Sequence, residues 1–170
     1  TDFPCLRIKP SCDIQTNGYA QVNVEVYGGA ILNTWLDRPL GVAGRVAVRS
    51  GDVFTPKVVM FQSEKNLMTI PNLAIHMNRE VNKGVELNKQ TDLLPICGLS
   101  DDADYFLDFL AKELAVKKED ILDFELTIYN KEKPEFVGLN DEFISASRLD
   151  NLNSCSALVS AIIESDRADG

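Results

Sequence analysis

Between the turn signals Asn17-Gly18 and Gly28-Gly29, Val22, Val24 and Val26 alternate with Asn23 and Glu25. A period of two places the valines on one side of an extended chain and the polar residues on the other, the mark of a half-buried strand. Similar alternation recurs at residues 5–9, 44–49, 53–61 and 124–128. Pro10 is read as the stop of the first of these, and Ser50-Gly51-Asp52 as the joint between the second and third. Helical spacing occurs twice. Phe106, Leu107, Leu110 and Leu114 follow Ser100 and Asp101, either of which suits a cap, with Asp101, Asp102 and Asp104 in the first turn. Leu152, Cys155, Leu158, Val159, Ile162 and Ile163 form one continuous apolar face near the end. Residues 67–96 lack a clean period and are bracketed by Pro71 and Pro95. Roughly six strands and two helices, with the strands grouped, predict an α+β fold.

A net charge of −9 removes two classes of partner, nucleic acid and anionic membrane, because both need concentrated positive charge. No run approaches the ~18 apolar residues of a membrane span. The four cysteines, Cys5, Cys12, Cys97 and Cys155, form no CxxC pair, and one histidine accompanies them. That pattern argues against a structural zinc site and for free buried thiols in a reducing compartment, so a cytoplasmic location is expected. Gly28-Gly29 is not followed by Lys-Ser/Thr, so it reads as a bend and not a phosphate cradle.

Two residues stand out chemically. Asp150 lies between a short apolar stretch and an apolar helix, in the run Phe143-Ile144-Ser145-Ala146-Ser147-Arg148-Leu149-Asp150-Asn151-Leu152. Spacing alone favours an N-cap there, although a carboxylate at a strand-to-helix junction also suits a metal ligand. His76, the single histidine, lies in Leu73-Ala74-Ile75-His76-Met77. By residue type it is a half-buried side chain with satisfied hydrogen bonds.

These two runs resemble the aspartyl aminopeptidase / aminopeptidase I family of zinc exopeptidases. So do Thr1-Asp2-Phe3-Pro4 leading into Cys5-Leu6-Arg7-Ile8-Lys9-Pro10, Tyr27-Gly28-Gly29-Ala30, Trp35-Leu36-Asp37-Arg38-Pro39-Leu40 and Asn78-Arg79-Glu80-Val81-Asn82-Lys83-Gly84. Two departures are local: Phe3 replaces a serine, and Ala30 a glycine.

The resemblance implies a mainly β lid and dimerisation domain at residues 13–139. Residues 1–12 and 140–170 would then be two segments of an α/β zinc-exopeptidase domain. It implies that Asp150 bridges two zinc ions. Asp2 would hold the imidazole of a zinc-binding histidine placed just before Thr1 in the right tautomer, and His76, exposed on a loop, would contact substrate in a neighbouring subunit. The implied activity is hydrolysis of N-terminal residues, acidic ones among them, from a peptide substrate by a homo-oligomer joined through the lid. The general-base Glu-Glu motif and further ligands would follow Gly170. The 170 residues are therefore expected to be inactive alone and to bind zinc weakly, since stable zinc sites take three or four ligands. Strand-like sequence directly after Thr1 fits a cut inside a longer protein. The competing expectation is a non-catalytic oligomerisation or partner-binding module.

Overall fold

A computed structural model of the chain describes residues 4–52 and 54–165. Its main body is a six-stranded antiparallel sheet in the order β4-β3-β6-β1-β2-β5. The strands are β1 (Cys5–Thr16), β2 (Tyr19–Tyr27), β3 (Leu40–Val48), β4 (Lys57–Gln62), β5 (Ile96–Leu99) and β6 (Ile121–Asn130). Helix α1 (Tyr105–Glu113) packs on one face of the sheet. A separate two-stranded ladder, β7 (Glu135–Val137) with β8 (Phe143–Ser145), leads into helix α2 (Leu149–Glu164). The α+β expectation is met, with strands dominating.

The period-two pattern decides which face is wet. Leu6, Ile8, Val22, Val24, Val42, Val46, Leu126 and Ile128 lie on the inner face and are buried. The register sets them side by side, as in Leu6↔Ile128, Ile8↔Val24 and Val42↔Ile128. Phe106 and Leu110 of α1, with Met68, Ile70 and Leu93 from the connecting segments, close this core. Arg7, Arg45 and Glu125 hold the outer face, where the Arg45–Glu125 pair approaches to 2.6 Å and Arg7–Glu125 to 3.8 Å. Such exposed pairs add at most about 1 kcal/mol each, so the apolar face carries the stability.

Several local expectations need correction. Strand β1 does not stop at Pro10 but continues to Thr16. A register break between Ile8 and Asp13 takes the intervening residues out of the ladder, so the missing proline N–H leaves no rung empty. Residues 53–61 are not one strand, for β4 starts only at Lys57. Upstream of it the Asp52 carboxylate accepts from the Phe54 N–H at 3.0 Å and the Thr55 hydroxyl at 2.5 Å, which holds a turn. Asn17-Gly18 does turn β1 into β2, with φ of 53° and 81°. Strand β5 and the β7–β8 ladder carry too few residues to have shown a period.

The cap of α1 also differs. The helix begins after Asp104, whose side chain makes no cap. The Asp13 carboxylate reaches across from β1 instead, accepting the Phe106 N–H at 2.6 Å and the Leu107 N–H at 3.3 Å. These are the donors an N-cap side chain normally satisfies. Asp13→Ala is expected to cost about 1–2 kcal/mol. Hydrogen exchange should show faster exchange of the Phe106 and Leu107 amides, and unchanged protection there would contradict the assignment.

Beyond Asn130 the burial pattern changes. Every residue of β7 and β8 is exposed, and α2 contains no buried residue. Phe143, Ile162 and Ile163 are 67%, 75% and 77% exposed. An apolar helix face of this kind is normally covered in a finished domain. Among the described residues no helix is long and apolar enough to cross a membrane.

Candidate active-site cleft

Where the β7–β8–α2 segment returns to the end of the sheet, it bounds a cleft of about 880 Å³. The walls include Tyr129, Asn130 and Glu132 from the end of β6 and beyond, Trp35 and Arg38 from the connection after β2, and Ser145, Ser147, Arg148 and Asp150. Asp150 is exposed and has no hydrogen-bond or ion-pair partner among the described residues. It therefore makes no N-cap bond. Its φ/ψ of −85°/111° and those of Asn151, −119°/21°, are non-helical, so regular helix begins at Leu152. The Asp150–Asn151 peptide bond is cis. At the other side of the junction Arg148 is left-handed, with φ 63° and ψ 24°, and its guanidinium carbon lies 5.7 Å from the Tyr129 ring centroid.

The opposite wall is braced by the Arg38 guanidinium, which donates to both Glu132 carboxylate oxygens at 2.9 Å. Asn130 donates to Glu132 as well, and these bonds hold the Glu132 carboxyl below its ordinary range. Asp37, one residue earlier, turns the other way. Its backbone N–H donates to the Ile70 carbonyl, and its carboxylate accepts the Asn72 N–H, both at 2.9 Å. One short segment thus ties the cleft wall to the root of the loop carrying His76. Neither role could be seen in the sequence, because both partners lie far along the chain.

His76 is exposed, in a turn closed by the Met77 and Asn78 N–H groups donating to the Ala74 carbonyl. Leu73, Ile75 and Met77 beside it are also exposed. The exposed-loop expectation for His76 holds, and the residue-type reading of a half-buried side chain does not: the loop turns its apolar residues outward, and His76 has no hydrogen-bond or ion-pair partner among the described residues. His76 does not line the Asp150 cleft; Leu73 and Asn78 of its loop line a different groove, of about 790 Å³. Asp2 lies outside the described residues.

A zinc ion takes three or four ligands, and among the described residues no group of three His, Cys, Asp or Glu side chains could hold one. Thiol ligation is also disfavoured inside the main body. Burial, reinforced by Asp13, pushes the Cys12 thiol up to about 12 and the Cys97 thiol up to about 11. All four cysteines are free, but only Cys5 and Cys12 are buried; Cys97 and Cys155 are partly exposed, short of the expected buried thiols. What the cleft does offer, among the described residues, is two carboxylates without a hydrogen-bond or ion-pair partner, Asp150 and Glu135, and of these Asp150 stands at the strand-to-helix junction.

Residues 1–169 match the family described as Aminopeptidase I zinc metalloprotease (M18). The chain belongs to the M18 aminopeptidase family. A probable M18 family aminopeptidase 2 of Clostridium novyi (strain NT) is 46% identical over 171 aligned positions, covering 98% of this chain and 40% of that protein. The corresponding protein of Ectopseudomonas mendocina (strain ymp) is 45% identical, covering 97% and 39%. Among solved structures, the cryo-EM structure of the Ape4 and Nbr1 complex matches at 35% identity and a TM-score of 0.84, over 95% of this chain and 34% of that one. An M18 family aminopeptidase from Thermotoga maritima shares the fold at 21% identity and a TM-score of 0.77, over 96% and 38%. The chain thus spans about 40% of the length of the M18 relatives it matches.

Proposed function

We propose that these residues belong to a di-zinc aminopeptidase that removes N-terminal residues, acidic ones among them, from peptides in the cytoplasm. Asp150 would be the carboxylate shared by the two ions, and the observation that carries the reading is its position: on a cleft wall, out of helical phase, with no hydrogen-bond or ion-pair partner among the described residues. Bound zinc supplies Lewis-acid polarisation of a scissile carbonyl and acidification of water. Asp2 orients a histidine ligand from the second shell.

The division into residues 13–139 as lid and 1–12 with 140–170 as pieces of the catalytic domain draws support from burial. The six-stranded sheet has its own core, whereas β7, β8 and α2 bury no side chain within the chain. A body with exposed apolar faces of that extent needs a further covering surface. Four free cysteines fit a reducing compartment.

Self-association through the lid has two supports. Strand β4 ends the sheet with Val58 and Met60 exposed at 59% and 75%. A related fold is known as the S. cerevisiae mApe1 dodecamer. In such an assembly His76 reaches a partner's site. His76→Ala in the full-length protein is then expected to lower turnover by about 10–100-fold, the worth of one hydrogen bond to a charged group, at unchanged melting temperature and zinc content. A large fall in melting temperature would mark it instead as a packing residue.

The direct test is expression of the complete reading frame and assay on aminoacyl chromogenic substrates with and without chelator. Chelator-sensitive release of the N-terminal residue is expected, with none from residues 1–170 alone. The absence of a three-ligand cluster among the described residues favours one second reading, a non-catalytic module. Absent turnover by the complete protein would support that reading, whereas chelator-insensitive turnover would overturn the zinc assignment and the non-catalytic module alike.

A further inference from the structure

We propose that Tyr129 and Arg148 form a clamp that positions Asp150, an inference that rests on Asp150 being a zinc ligand. Four observations meet at one place. Arg148 precedes Asp150 by two residues, and both line the cleft with Tyr129. Its guanidinium carbon stands 5.7 Å from the Tyr129 ring centroid, within the range at which an aromatic face attracts a cation. The Arg148 backbone is left-handed, a strained conformation for a non-glycine residue that calls for a compensating contact. Finally, α2 buries no side chain, so packing of its own helix does not hold the junction in place.

Tyr129 is well suited to act as the fixed half. It lies on β6, where it pairs with Gly41 of β3, and its hydroxyl accepts from the Gln62 amide at 3.4 Å. Arg148 is the other half, and its carbonyl accepts the Leu152 N–H at 3.3 Å, so its placement also sets where the helix begins. The three residues between these anchors, Leu149, Asp150 and Asn151, are thereby limited in where they can carry the Asp150 carboxylate. A bridging ligand has to be placed to within a few tenths of an ångström to hold two ions. Arg148 acts through this geometry, as a positioning residue, and touches neither metal nor substrate.

The test uses the full-length protein, with the zinc dissociation constant measured by competition against a chromogenic chelator and the melting temperature measured in the metal-free state. Tyr129→Leu and Arg148→Gln are each expected to weaken zinc binding about three- to tenfold, the range of a cation–aromatic contact at a partly exposed site. Tyr129→Phe keeps the ring face and should bind zinc as the parent does. The double variant Tyr129→Leu/Arg148→Gln should be no weaker than either single one, because a shared contact is lost once. Wild-type zinc affinity in both single variants, or multiplication of their effects in the double variant, would overturn the clamp. So would a loss of zinc affinity only as large as the fall in metal-free stability accounts for. Asp150→Asn is the control for the underlying reading: unchanged zinc affinity there removes Asp150 from the site and overturns the premise, whereas a large loss there with silent clamp variants overturns the clamp alone.

Discussion

Asp150→Asn in the full-length protein is expected to lower zinc-dependent hydrolysis by more than about a hundredfold, because even partners one shell further out are worth 10–100-fold. An amide oxygen is neutral and cannot bridge two cations, so the loss should fall on metal occupancy and turnover together. Metal-free stability should change by no more than about 0.5 kcal/mol, since Asp150 is exposed and makes no hydrogen bond or ion pair among the described residues. That combination separates a functional carboxylate from a helix cap. A cap would be worth about 1 kcal/mol and nothing in turnover. Near-normal rates in this variant would sink the assignment.

The largest expected effect on stability lies at the centre of the sheet. Gly44 pairs with Phe61 of β4 on one side and with Leu126 of β6 on the other. Its φ is 154°, and a Cβ there would run into the Glu125 carbonyl oxygen and the Leu126 Cα. Backbone cannot swing aside as the end of a long side chain can, so β3 and β6 would have to separate. Gly44→Ala should cost about 3 kcal/mol or more, read from the denaturation midpoint of the full-length protein. Gly51→Ala is the matching control, because a Cβ there meets nothing within 4 Å. Equal small effects at both positions would show that β3 and β6 are not packed as described.

What the sequence showed and what it hid divide along physical lines. Val22, Val24 and Val26, and likewise Phe124, Leu126 and Ile128, were legible as strands because one face is core and the other water, which leaves a period-two trace. The apolar periodicity of α1 and α2 was legible for the same reason, yet periodicity does not say what covers a face, and that of α2 stays exposed. Pro10 misled because proline marks only a missing donor, and the register break at that point removes the need for one. Asp13 as the cap of α1 was invisible, since its partners are 93 and 94 residues away. Asp37 was hidden in the same way, bound to Asn72 across 35 residues.

For the site, the family motifs carried more than composition did. By residue type Asp150 reads as a cap and His76 as a packed side chain, whereas the resemblance implies a cleft carboxylate and an exposed loop histidine; both are exposed and without a hydrogen-bond or ion-pair partner among the described residues. Arg148 gave no signal, because a left-handed arginine has no sequence mark and its contact with Tyr129 exists only once the chain has folded back on β6.

The central claim, that Asp150 is a zinc ligand, is tested most directly by crystals of the full-length protein measured on both sides of the zinc absorption edge. Two anomalous peaks flanking the Asp150 carboxylate, each about 2.0–2.2 Å from one of its oxygens, are the predicted result. Zinc bound elsewhere, with the Asp150 carboxylate turned to solvent, would contradict it.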